Sequence, residues 1–370
     1  MTEDFLPIKG MDHVEFYVGN AKQAAHFYRT GFGFANTAYS GLETGNRKSA
    51  SYVMEQGNIR LVLTSALGPD HPIARYAHLH GDGVGVIAME VPDAAKSYEE
   101  STHRGATGVI PPTEEKDDFG VYRYSAIQCY GDTIIKFIDR SDYTGAFAPG
   151  YVARESDAER NKNGRIKGVG LAAIDHMVGN VELGAMNRWV DFFANTMGFS
   201  QLLHFDDEDI STEYSALMSK VMQNGNGKVK FPINEPAEGK KKSQIQEYLD
   251  YYYGPGVQHI ACSTGDILAT VTQLQENGIE FLRVPTTYYD VLEERVGKIN
   301  EPVEKLAELG ILVDRDEEGY LLQIFTKPVE DRPTVFYEII ERHGSRGFGK
   351  GNFKALFESI EREQALRGNL

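Results

Sequence analysis

The feature that most constrains this chain is that it repeats itself. The stretch "GMDHVEFYVGN" at residues 10 to 20 returns as "AIDHMVGNV" at 173 to 181, each followed by an aromatic helical run that ends in Gly-Phe, "AAHFYRTGFGF" and "RWVDFFANTMGF". Further on, "GDGVGVIAMEV" at 81 to 91 returns as "GPGVQHIACST" at 254 to 264, again with an amphipathic helical run after it. A duplicated unit must fold twice by one set of rules, so each half is expected to be the same α+β assembly. Apolar alternation in "IRLVLTS", "YLLQIFT" and "TVFYEII" places strands after each helix, in the order strand, helix, several strands, then strand, helix, more strands. The stretch "APGYVARESDAERNKNGRIKG" at 148 to 168, rich in charge and small residues, reads as the connection. Domains of 1–155 and 156–370 follow, and 370 residues suit two cores better than one.

Where the two copies differ is more informative than where they agree. Within "GPGVQHIACS" a buried strand is interrupted by Gln258 and His259, and the first half has Gly85 and Val86 there. A fold that accepts valine at that place does not need histidine for its structure, although a histidine satisfied in the core is the plainer reading. Two companions sharpen the case: His176 in "AIDHMVGN" and Glu338 in "TVFYEIIER", both on strands. Their first-half counterparts read as His13 and Phe137, so the first half would hold at most one of the three groups and bind no metal. Two imidazoles and a carboxylate on one face of a metal leave the other face open, as non-haem iron(II) needs in order to hold substrate and dioxygen together. A closed zinc site would ask for a fourth protein ligand. With 10 histidines and 54 acidic residues, accidental trios are common, and it is the position within the repeat that singles this one out.

Composition removes several classes of function. A formal charge of −16 and a pI near 5.1 argue against a nucleic-acid surface and point to a small-molecule partner. The two cysteines, Cys129 and Cys262, stand far apart and build neither a disulfide framework nor a thiolate metal site, which suits a reducing compartment. The start "MTEDFLPIKG" lacks the pattern of a secretory signal, and no apolar run approaches a membrane span, so a cytoplasmic protein is expected.

The carboxy-terminal half resembles the 4-hydroxyphenylpyruvate dioxygenase family in long ordered stretches: "DHMVGNV", "PINEP", "KKKSQIQEYL", "GPGVQHIA", "PTTYYDVLEERVG", "ELGILVDRDEEGYLLQIFTKP", "DRPTVFYEIIER" and "GFGKGNFKALFESIEREQ". The first half is similar more weakly, as that family's metal-free domain is. The resemblance implies two tandem vicinal-oxygen-chelate domains, of the glyoxalase and extradiol dioxygenase type, built of paired βαβββ modules with a C-terminal gating helix. It implies one iron(II) per subunit on His176, His259 and Glu338, and 4-hydroxyphenylpyruvate and dioxygen as substrates, converted to homogentisate and carbon dioxide in tyrosine catabolism. It places Ser219, Asn234, Gln244 and Gln258 around the ring hydroxyl, Gln323 nearer the iron, and Phe325 and Phe353 on either side of the ring, with Pro232, Phe336 and Phe348 close by. It further implies homodimers or homotetramers. Strand alternation gives independent support, since Gln323 and Phe325, Phe336 and Glu338, and Pro232 and Asn234 each share a face.

Alternatives stay in view. Hydroxymandelate synthase uses the same substrate, metal and fold but oxidises the side chain, and Asn234 and Phe336 match the homogentisate-forming pattern instead. An extradiol dioxygenase with the same trio would want further histidines near the metal, and the second half offers only His204 and His343, read as lying off the matching strands. A binding module that has lost catalysis would have no reason to keep the trio. "GFGKGNF" lacks the spacing of a dinucleotide loop, and "DRDEEG" meets Phe325 where a calcium loop needs a glutamate, so neither is taken as a site.

Overall fold

The computed structural model describes residues 4–154, 168–205, 216–237 and 239–369. The expected boundary near residue 155 lies outside the described residues. In the first half the strands are β1 (Gly10–Tyr17), β2 (Ala35–Ser40), β3 (Ser49–Gln56), β4 (Ile59–Ala66), β5 (Gly83–Glu90), β6 (Gly108–Asp117), β7 (Gly120–Gln128), β8 (Ile134–Asp139) and β9 (Val152–Ala153). The helices among them are α1 (Ala21–Thr30), α2 (Pro72–His80) and α3 (Ala94–His103). In the second half they are β10 (Leu171–Asn180), β11 (Ser200–Phe205), β12 (Ala216–Gln223), β13 (Lys230–Ala237), β14 (Gly256–Thr264), β15 (Leu312–Arg315), β16 (Tyr320–Phe325) and β17 (Phe336–His343). Helices α4 (Met186–Met197), α5 (Gln244–Tyr252), α6 (Ile267–Glu276), α7 (Thr287–Asp290), α8 (Leu292–Val296), α9 (Val303–Leu309) and α10 (Phe353–Leu366) accompany them.

The sheets run β6-β7-β8-β5-β1-β4-β3-β2-β9 and β11-β12-β13-β10-β14-β17-β16-β15, so two βαβββ modules meet through their first strands in each half. β1 pairs antiparallel with β5 as β10 does with β14. The helix starts repeat too: Asp93 accepts from the Lys96 amide at 2.9 Å on α3, and Asp266 from the Ala269 amide at 2.9 Å on α6. One large apolar core runs through both halves. The halves are stitched by the Tyr28 and Tyr337 hydroxyls at 3.0 Å and by the Asn277 amide donating to the Gly31 carbonyl at 3.0 Å.

Strand pairing corrects one sequence-based correspondence. His176 stands opposite Ala261, which stands opposite Glu338; in the first half His13 stands opposite Ala88, which stands opposite Lys136. The counterpart of Glu338 is therefore Lys136, not Phe137. Successive strand residues face opposite sides; Phe137 points into the large core while its neighbour Lys136 lies against the Tyr124 ring, 4.2 Å from its centre. The first half keeps the surrounding frame: Arg140 binds Asp12, which holds His13, and Phe147 sets its edge against that imidazole at 5.1 Å. The first cup is otherwise filled by the chain itself, with Phe147 and Ala148 packed on Val86 and Ala88 and the Tyr17 ring over Gly85, where a Cβ would come within 2.3 Å of it.

Candidate metal centre and substrate cavity

β10, β14 and β17 are central neighbours, and their register brings His176, His259 and Glu338 onto one face. The Glu338 carboxylate lies 3.1 Å from His176 Nε2 and 3.4 Å from His259 Nε2. All three residues are buried. Each imidazole is turned by a partner on its other nitrogen: His176 Nδ1 meets the Asp175 carboxylate at 2.8 Å and His259 Nδ1 meets the Gln258 side-chain oxygen Oε1 at 3.0 Å. With Nδ1 carrying the proton on each ring, loss of the Nε2 proton to an incoming metal would leave both Nε2 atoms as donors of a lone pair beside the carboxylate, the state a metal requires. Asp175 is held in turn by both prongs of Arg342, each at 2.8 Å, and the Phe348 edge meets the His176 ring at 4.9 Å. Phe336 stacks on His259 at 4.8 Å.

These neighbours would not fit one face of a regular strand. Register shifts near His176 and at Gln258 supply the geometry: His259 pairs with Val178 and Val257 with Gly179, leaving Gln258 as the extra residue of a bulge. Gln258 and His259, consecutive in sequence, can thus both reach the cavity. The first half carries the same shifts, at Asp12 and at Gly85.

Charge within the trio is settled by proximity. Burial acts to raise the Glu338 carboxyl, but the two imidazoles override it and hold it at about 2. Burial acts to lower His176, and the Glu338 and Asp175 carboxylates outweigh it and raise this imidazole above its ordinary value. For His259 burial prevails, and its value is lowered. Asp175, though buried, is held well below the usual carboxylate range by Arg342 and His176. A nitrogen, nitrogen and oxygen donor set on one side, with anionic Glu338 in the middle, fits a divalent metal that keeps open positions.

The same face opens into a cavity lined by His176, His259, Glu338, Ser219, Pro232, Asn234, Gln244, Gln258, Phe325, Phe336, Phe348 and Phe353. Ser219 and Asn234 are direct cross-strand partners. Gln323 is set apart. It is buried on β16 beneath the backbone of Gly349, where a Cβ would come within 2.3 Å of its Nε2, and that Nε2 has no partner among the described residues. Sequence reading missed Val178, Phe205, Leu217, Val221, Leu356, Phe357 and Ile360, all apolar. The helical spacing of Phe353, Leu356, Phe357 and Ile360 was the available signal, and it marks the face that α10 lays over the cavity. That helix follows Gly349, whose φ of +75° favours glycine. Its far end is tied down where Arg367 grips the buried Glu247 carboxylate at 2.7 and 3.1 Å. His343 proves to lie on β17 with Glu338, but at the strand end, bound to Glu341 and Glu301; His204 is exposed on the edge strand β11.

Two curled mixed sheets, each of paired βαβββ modules with a His-His-Glu group in one, define the class. The chain belongs to the Glyoxalase/Bleomycin resistance protein/Dioxygenase superfamily, whose model matches residues 10–134 and 173–324. Within it the chain is a member of the 4-hydroxyphenylpyruvate dioxygenase family. It is 48% identical over 381 residues to the 4-hydroxyphenylpyruvate dioxygenase of Yarrowia lipolytica, covering 100% of this chain and 96% of that one. It is also 48% identical over 370 residues to that of Dictyostelium discoideum, covering 98% and 100%. Among solved structures, a triply substituted 4-hydroxymandelate synthase from Streptomyces coelicolor superposes with a TM-score of 0.87 at 31% identity, covering 97% of this chain and 100% of that one.

Proposed function

We propose that this protein converts 4-hydroxyphenylpyruvate and dioxygen to homogentisate and carbon dioxide, using one iron(II) per subunit on His176, His259 and Glu338. The observation that carries this reading is the single cavity that joins the buried donor trio to amide, hydroxyl and aromatic side chains, in a chain 48% identical over its length to relatives that bear this name. Iron, when bound, supplies the electrons and coordination positions through which the substrate's 2-oxo acid and dioxygen react.

The protein's own part is to bind, orient and exclude. Asp175 and Gln258 fix the imidazoles so that their lone pairs face inward. Ser219, Asn234, Gln244 and Gln258 offer donors and acceptors for the phenol, while Phe325 and Phe353 offer ring faces and Phe336 and Pro232 shape the floor. The family resemblance gives Gln323 the place nearer the iron, and its Nε2 is a buried donor with no partner among the described residues. Phe348 and α10 close the cavity against water, so that the oxidising power raised there meets substrate alone. Among the described residues no helix is long and apolar enough to cross a membrane; a cytoplasmic homodimer or homotetramer is the setting we propose.

The test is to load the purified protein with iron(II), supply 4-hydroxyphenylpyruvate under oxygen, and resolve products against homogentisate and 4-hydroxymandelate while following oxygen uptake. Homogentisate matched to oxygen consumed is expected. The second reading, favoured by the structural likeness to a 4-hydroxymandelate synthase, is side-chain oxidation. Hydroxymandelate as the product would establish it and show that Asn234 and Phe336 do not direct oxidation to the ring.

A further inference from the structure

We infer a second divalent-cation site, separate from the cavity, formed by Glu301, Glu341 and His343. One ligand atom from each lies within 4.8 Å of the others. His343 Nε2 is 2.9 Å from Glu341 and 3.3 Å from Glu301, and in the catalytic trio the imidazole-to-carboxylate distances are 3.1 and 3.4 Å. The two groups have the same spacing with opposite composition, two carboxylates and one imidazole here against one and two there.

Each donor is also held from behind, which distinguishes the group from a loose surface cluster. The His343 ring lies flat on Tyr320, 4.5 Å between centres and 6° between planes. The Tyr320 hydroxyl donates to Glu301 at 3.1 Å. The second oxygen of Glu341 accepts the Ile267 amide at 2.7 Å, which leaves the first for the centre. Glu301 and Glu341 are 11% exposed and His343 29%, so the two carboxylates are largely withdrawn from water with a single imidazole between them. An imidazole that carries at most one positive charge leaves this pair with net negative charge, and a metal of charge two would balance it. Two oxygens and one nitrogen, with the imidazole 29% exposed, suit Mn²⁺ or Zn²⁺.

The site joins two separate segments, the stretch before α9 and the end of β17. β17 leads directly into the glycine-rich turn that carries α10. A cation there fastens the root of the covering helix without touching the cavity.

Mn²⁺ is the probe, counted by the electron paramagnetic resonance of the free ion. To keep the cavity site out of the count, His259→Ala protein is stripped of metal and titrated. One Mn²⁺ per chain is expected in that background, and at least tenfold weaker uptake once His343→Ala or Glu301→Gln is added. The Glu301→Gln change preserves shape should the alanine variant fold poorly. In the otherwise native chain, His343→Ala is expected to leave homogentisate formation under saturating iron unchanged. No Mn²⁺ uptake by His259→Ala protein would overturn the site, and so would uptake that persists undiminished in both double variants.

Discussion

At the scale of single residues, the side chains that make the centre are fewer than those that make it work. Asp175 and Gln258 touch no metal in this reading, yet they decide which nitrogen of each imidazole faces inward. Asp12 performs the same task for His13 in the half where Lys136 replaces the carboxylate. Such outer partners commonly carry a factor of about 10–100 in metal affinity. Asp175→Asn keeps the shape but removes the charge that both His176 and Arg342 bind, so iron(II) affinity should fall by about that factor. Competition against a fluorescent chelator would measure this, and an unchanged affinity would show that Asp175 serves Arg342 alone. The trio was legible in the sequence because the repeat supplied an internal control, Val86 against His259. The position of Gln323 was not, because alternation gives its face and says nothing of the Gly349 backbone that covers it.

At the scale of elements, the bulge in β14 and the docking of α10 matter most. The bulge lets two consecutive residues serve one cavity, and a pattern of period two cannot anticipate it. α10 lays four apolar residues over the cavity and is held at its far end by the Arg367 fork on Glu247, in the same helix, α5, that begins with Gln244. Arg367→Ala leaves a buried carboxylate without that cation, a loss of about 1–3 kcal/mol from the closed arrangement. Amide exchange across Phe353–Leu366 should quicken and KM should rise several-fold while iron affinity holds. Unaltered exchange and KM would mean that the apolar face alone keeps the helix down.

At the scale of the whole molecule, the halves meet through a junction that includes two acids. Burial raises Glu330 well above its ordinary value, with Asp82 reinforcing the shift, and burial raises Asp82 as well. A carboxyl whose folded value is raised binds its proton more tightly when folded. Its contribution to stability is therefore complete below the unfolded value near 4.5 and is lost as pH rises through the folded value. Glu330→Gln should raise the melting temperature at neutral pH and flatten its decline as pH rises above about 4.5; a melting profile parallel to that of the unaltered chain would refute this. The order of elements, the doubling of the fold and the choice of His176, His259 and Glu338 as a candidate trio all came from the sequence alone, because they rest on local periodicity and on side-chain chemistry that few other contexts explain. Only the tertiary structure decided that Lys136 and not Phe137 answers Glu338, that Gln258 joins His259 on one face, and that the apolar face of α10 roofs the cavity. Each of those depends on register between strands, or on packing between segments, far apart along the chain, where a shift of one residue reverses every face.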